Sequence, residues 1–150
     1  MDHNNILAVV LAGGKSKRFG DDKTQAQLGG KILIDYILLV IVNKFNEVLI
    51  VANDPIKHLP SDKIVTIEDF KKNLGPLGGI LSAMKWVKKH NKHYQWIASF
   101  PSDTPLFKIS MFEDFLKKRN EKESEIFFMK TKKKRHNIFG LWNIDLIDQL

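Results

Sequence analysis

The chain contains no cysteine. That excludes disulfide frameworks, Cys-ligated metals and thiol catalysis, and it suits a reducing compartment. Long apolar runs are missing too. The densest, Ile37-Leu-Leu-Val-Ile-Val42, falls far short of the ~20 residues of a membrane-spanning helix and reads as a buried helix face. The start, Met1-Asp2-His3-Asn4-Asn5, lacks the basic region and apolar stretch of a secretory signal, so a cytoplasmic location is expected. No internal repeat, linker or low-complexity tract breaks the 150 residues, and one domain over 1–150 is expected. Acidic residues are the scarcer charge: 17 Asp+Glu against 24 Lys+Arg leave a net charge of +7. Such a surplus favours anionic partners, either nucleic acid or phosphorylated small molecules. Its densest part, Lys130 to Arg135 with only Thr131 interrupting, reads as a solvated turn. A nucleic-acid module there would want RRM aromatics, a helix-turn-helix or a KH loop, and the sequence has none.

What is present is an alternation of strands and helices. Asn5-Ile-Leu-Ala-Val-Val-Leu11 is a continuous apolar run stopped by Gly13-Gly14, the pattern of a strand buried on both faces. Glu47–Val51, Lys63–Ile67, Gln95–Phe100, Glu125–Met129 and Ile138–Trp142 predict further strands. Helices are predicted from about Ile32 to Lys44, with Asp35 and Asn43 facing water, and from Gly78 to Lys89. A third is predicted from an N-cap at Ser110 to Arg119, and another begins near the end of the chain. This order implies a mostly parallel sheet covered on both sides. Ligands of such sheets bind beyond the carboxyl ends of the strands, where this chain places Gly13/Gly14, Asn53, Glu68/Asp69 and Asp103.

The richest segment is Leu11-Ala-Gly-Gly-Lys-Ser-Lys-Arg-Phe-Gly-Asp-Asp-Lys23. Gly13 and Gly14 let main-chain N–H groups approach a phosphate chain closely. Lys15, Lys17, Arg18 and Lys23 surround that turn with positive charge. It is not a P-loop, because the glycine required upstream falls on Val9. The five histidines show no metal-ligand spacing. His90 and His93 read as solvated, and Trp86 and Trp96 as core.

Leu11 to Lys23 resembles the signature of the sugar-nucleotidyltransferase-like superfamily, and its Leu-Ala-Gly-Gly opening most resembles the molybdenum cofactor guanylyltransferases. Three further segments agree in order: Asn53 after the second strand, Glu68-Asp69 ahead of Gly75-Pro-Leu-Gly-Gly-Ile80, and Pro101-Ser-Asp-Thr-Pro105, which resembles the family's metal motif. Phe19 stands where methionine is usual and Ser102 where cysteine is common, while His136 precedes Asn137 where the family often has His-Pro. The family's chain also continues beyond the position of Leu150, so a domain shortened at its C-terminus is expected.

The resemblance implies a three-layer α/β/α, Rossmann-like nucleotide-diphospho-sugar transferase fold. It also implies transfer of GMP from GTP to the terminal phosphate of molybdopterin, with pyrophosphate leaving. N–H groups of Leu11, Ala12, Gly13 and Gly14 would cradle the phosphates, and Lys23 and Arg18 would offset charge toward pyrophosphate. Asp103 would hold Mg²⁺, which commonly takes one or two carboxylates plus phosphates and water. Asn53 and Asp69 would face the nucleoside, a carboxylate being able to accept from guanine N1–H and its exocyclic amino group. Gly78 and Gly79 would admit main chain to the base or ribose. The expected partners are GTP, molybdopterin and, transiently, other molybdenum-cofactor proteins, with no nucleic acid or membrane, the chain being a monomer or weak homo-oligomer. Plainer roles compete: Gly13/Gly14 as a ligand-free turn, Lys23 as a surface lysine, Asp103 as a turn cap, Asn53 as an Asx turn, Asp69 as a loop carboxylate. Competing functions are a same-fold enzyme using CTP or another acceptor, a silent nucleotide-binding homologue, and the basic nucleic-acid module.

Overall fold

Val, Ile and Leu alternate their side chains between two faces of a strand, and in this chain both faces are covered. A computed structural model describes residues 3–13, 26–70, 74–119, 124–132 and 134–150. The strands are β1 (Ile6–Leu11), β2 (Gln27–Leu28), β3 (Lys31–Ile32), β4 (Val48–Ala52), β5 (Ile64–Glu68), β6 (Trp96–Pro101), β7 (Ile126–Lys130) and β8 (Arg135–Asn143). The helices are α1 (Leu33–Ile41), α2 (Pro76–Lys89) and α3 (Ile109–Arg119), and a 3₁₀ turn at Ile144–Asp148 follows β8. Six strands form one sheet in the order β5-β4-β1-β6-β8-β7. The first four run parallel, and β8 runs antiparallel to both β6 and β7.

The period of two in β1 sorts the core. Ile6, Ala8 and Val10 face a cluster with Ile34, Ile37, Leu38 and Ile41 of α1 and Phe112 and Leu116 of α3. Leu7 and Val9 face Ile80, Ala83, Met84 and Val87 of α2 together with Ile144 and Leu146. The result is the expected three-layer α/β/α arrangement with a mostly parallel sheet. Among the described residues, no helix is long and apolar enough to cross a membrane.

Local detail departs from expectation in four places. A β2–β3 hairpin turns through Gly29 and Gly30, at φ +56° and +80°. Glycine suits this left-handed turn, and strands of two residues leave no periodic trace. α1 is shorter than Ile32–Lys44, because Ile32 is spent on β3 and Lys44 N–H closes a turn on the Ile41 carbonyl. Asp35 does more than meet water: its Oδ1 accepts the Leu59 N–H at 2.8 Å. Ser110 is not an N-cap, since α3 begins at Ile109 and Met111 N–H already reaches the Lys108 carbonyl.

Phe100, fully buried at the end of β6, is a hub of rings. Its centroid lies 5.9 Å from Phe45, 5.5 Å from Phe107, 5.4 Å from Phe112 and 6.1 Å from Phe139. Phe107 stacks on Phe139 at 5.1 Å, so the loop after β6 is pinned at its far end. Phe100→Ala should cost about 3–5 kcal/mol, read as a lower denaturation midpoint at unchanged slope.

Tyr94 OH donates to Glu47 Oε2 at 3.1 Å. Burial, then the Glu47 charge and this hydrogen bond, push the phenol up to about 12. Because the folded value lies above the ordinary one, its contribution to stability is complete below about pH 10. It is lost as pH rises toward 12. Ultraviolet titration should find one of the two tyrosines ionising late, and Glu47→Gln should bring it down.

Candidate functional site

Strand register brings the predicted positions to one level. Leu11 pairs with Val51 and with Pro101, and Val51 pairs with Ile67. Two residues further along each strand stand Gly13 (11 + 2), Asn53 (51 + 2), Asp69 (67 + 2) and Asp103 (101 + 2). Strand order reverses between β1 and β6, so Gly13 and Asp103 flank the crevice where open α/β sheets bind ligands. Gly14, Arg18 and Lys23 lie outside the described residues.

Asn53 ties two of these ends together. Its Nδ2 donates to the Gly13 carbonyl at 2.6 Å, and a Cβ on Gly13 would stand 3.4 Å from the same nitrogen. Asn53 therefore braces Gly13, just past β1, from the end of the neighbouring strand. Its Oδ1 is buried and has no partner among the described residues, so it is an acceptor that still calls for a donor. The Ala12 N–H is already committed to the Val51 carbonyl at 2.8 Å, which corrects its expected part in the phosphate cradle: the parallel ladder to β4 runs one residue further and takes it. Leu11 contributes its side chain to packing, since a Cβ on Gly79 would come 2.7 Å from Leu11 Cδ2.

Asp69 is held from below by α2. Ser82, one of two buried polar residues among those described, lies with its hydroxyl 2.8 Å from Asp69 Oδ1 and accepts the Phe70 N–H at 2.7 Å. A Cβ on Gly78 would stand 3.3 and 3.4 Å from the two Asp69 oxygens and 2.8 Å from Leu74 Cβ. The glycines at 78 and 79 thus make room for Asp69, Leu74 and Leu11. Gly75, at φ +65°, turns the chain into Pro76 at the head of α2. Sequence reasoning missed Ser82; a serine amid the apolar positions of α2 was its only trace.

Asp103 sits exposed in the turn after β6, where Thr104 Oγ1 donates to the Pro101 carbonyl at 3.2 Å. Among the described residues it has no hydrogen-bond or ion-pair partner, and no group of three His, Asp or Glu side chains could enclose a metal. One open carboxylate fits Mg²⁺ in the manner of sites completed by phosphate and water. On the far side of β6, Thr131 N–H closes the β7–β8 turn on the Lys134 carbonyl. The basic run is thus a hairpin tip, as expected, at the same edge of the sheet.

Gly13, an amide and two carboxylates thus stand along the carboxyl edge of an open α/β sheet, the edge at which sheets of this class bind ligands. Comparison with known proteins narrows the class. A model of the MobA-like NTP transferase domain matches residues 8–150, and the chain belongs to that family. It is similar to the molybdenum cofactor guanylyltransferase of Rhodopseudomonas palustris (strain HaA2), at 26% identity over 141 residues, covering 93% of this chain and 66% of the relative. A relative from Bacillus cereus (strain ZK / E33L), also named for molybdenum cofactor guanylyltransfer, is 36% identical over 107 residues, 68% of this chain and 50% of its own length. The chain therefore spans between half and about two thirds of these curated relatives. Its fold is shared by the molybdopterin-guanine dinucleotide biosynthesis protein A of Archaeoglobus fulgidus, with a TM-score of 0.69 at 21% identity over 95% of this chain and 70% of that one.

The Asn53 brace gives a direct test. Asn53→Asp keeps the shape but loses the donor to Gly13, and should cost about 1–3 kcal/mol. The deficit against the parent should shrink as pH falls below about 4, where the new carboxyl regains a proton to donate; parallel denaturation curves across pH check it.

Proposed function

We propose that this chain is a Mg²⁺-dependent guanylyltransferase. An oxygen of the terminal phosphate of molybdopterin bonds to the α-phosphorus of GTP, the bond from that phosphorus to the bridging oxygen breaks, and pyrophosphate leaves. Family membership and the names of the relatives support the reaction class. The observation that supports carrying the reading to residues is the level array of Gly13, Asn53, Asp69 and Asp103 along the carboxyl edge, with Gly13 and Asp103 flanking the switch point.

Both reactants are anionic, so the protein's task is positioning and relief of charge. The Gly13–Gly14 turn cradles the phosphates, while Lys23 and Arg18 offset charge on the departing pyrophosphate. Asn53 offers its unpartnered oxygen to the nucleoside, and Asp69 accepts from the guanine edge. Asp103 holds the divalent cation, which when bound supplies charge neutralisation along the phosphate chain. GTP and molybdopterin are the substrates on this reading, and cytoplasm the compartment.

GTP with Mg²⁺ should raise the melting temperature more than CTP, ATP or UTP; stabilisation by CTP and not GTP would end the guanylyl assignment. Asp103→Ala should slow pyrophosphate release from GTP and molybdopterin by roughly 100- to 1,000-fold. Equal rates in the two proteins would remove Asp103 from the mechanism.

A further inference from the structure

A loop carboxylate with two free torsions reads a base edge poorly unless its plane is held, because a paired acceptance from two N–H groups depends on angle as much as distance. Asp69 follows β5 directly, and Asp69 N–H reaches the Ala52 carbonyl at 3.3 Å. That bond fixes the backbone only. The side chain is fixed from α2.

Ser82 is 4% exposed. Its oxygen lies 2.8 Å from Asp69 Oδ1 and also 2.8 Å from the Gly78 carbonyl, and it accepts the Phe70 N–H at 2.7 Å. A hydroxyl carries one proton, and a charged carboxylate is the stronger acceptor, so the proton goes to Asp69. Oδ1 keeps its second lone pair and Oδ2 keeps both for a ligand. Beneath the carboxylate, Gly78 presents no side chain, and a methyl there would stand 3.3 and 3.4 Å from the two oxygens. The first turn of α2 also favours a negative charge beside it.

From these contacts we infer that Ser82 is a positioning residue for base selection: its hydroxyl, with the space left by Gly78, sets the plane in which Asp69 meets the nucleobase. The inference rests on the reading of Asp69 as the residue that faces guanine. Discrimination for the exocyclic amino group of guanine then depends on a buried serine that touches no nucleotide.

Calorimetric affinities for GTP and for inosine triphosphate, which lacks that amino group, test this in the full chain with Mg²⁺. The parent should prefer GTP. Ser82→Ala should weaken GTP by about fivefold and inosine triphosphate by much less, so that the preference shrinks. Ser82→Thr, which keeps a hydroxyl, should restore it. Gly78→Ala, reaching the same carboxylate from below, should narrow it again. A serine of merely structural value would lower the melting temperature and weaken both nucleotides alike, which overturns the inference. Asp69→Asn separates the two levels. If it abolishes the preference while Ser82→Ala and Gly78→Ala leave it intact, Ser82 has no positioning role although Asp69 still reads the base. If Asp69→Asn leaves the preference as in the parent, the reading of Asp69 fails and takes the inference with it.

Discussion

The parallel pairing of β1 with β4 on one side and β6 on the other sets the geometry of the whole carboxyl edge. Ladder hydrogen bonds lock Leu11 level with Val51 and Pro101, and β4 carries the same level to Ile67. β1, β4 and β6 are buried on both faces and pack two distinct core clusters, so a slip of one residue would turn core side chains the wrong way. The hydrophobic core therefore enforces the register, and the register delivers Gly13, Asn53, Asp69 and Asp103 to one rim. Reversal of the strand order between the parallel neighbours β1 and β6 opens the rim there.

Beyond that rim, each position is secured by a different kind of contact. Asn53 reaches from the end of β4 to the Gly13 carbonyl by a single hydrogen bond donated by its side-chain amide. Asp69 is gripped from α2 by a buried hydroxyl and given room by a glycine. Among the described residues Asp103 has no direct brace, but it sits between the buried end of β6 and Phe107, whose ring stacks on Phe139. On β8, register shifts between Phe128 and Met129 of its partner β7 leave Asn137, Ile138 and Phe139 unpaired with that strand. Such irregularities bend a strand and re-aim its side chains, and here Phe139 turns toward Phe107. Asp69 is thus braced where it would face a base, while the Asp103 carboxylate stands exposed where it would face a metal.

Much of this was legible in the sequence. A continuous apolar run marked β1 and apolar-rich stretches marked β4, β5 and β6, and polar or glycine residues after them marked the rim. What stayed hidden depends on partners remote in sequence. The shared level of four strand ends needs the pairing, which no local pattern carries. Gly78 and Gly79 read as openings for a ligand, and the fold adds that their missing Cβ atoms also leave room for Asp69, Leu74 and Leu11. Ala12 read as a phosphate donor, but its N–H belongs to the sheet. Ser82 was invisible because a lone serine in an apolar helical stripe resembles tolerated polarity, and only the fold places Asp69 above it. The β2–β3 hairpin escaped because its strands are too short to show a period.

The central claim is that one nucleotide engages four strand ends together. Amide chemical shifts or hydrogen exchange, followed as a non-hydrolysable GTP analogue is added with Mg²⁺, address it most directly. Concerted changes are expected at Gly13, Asn53, Asp69–Phe70, Gly78–Gly79 and Asp103, with Thr131–Arg135 of the basic hairpin little affected. Changes confined to that hairpin, or scattered over unrelated surfaces, would contradict it.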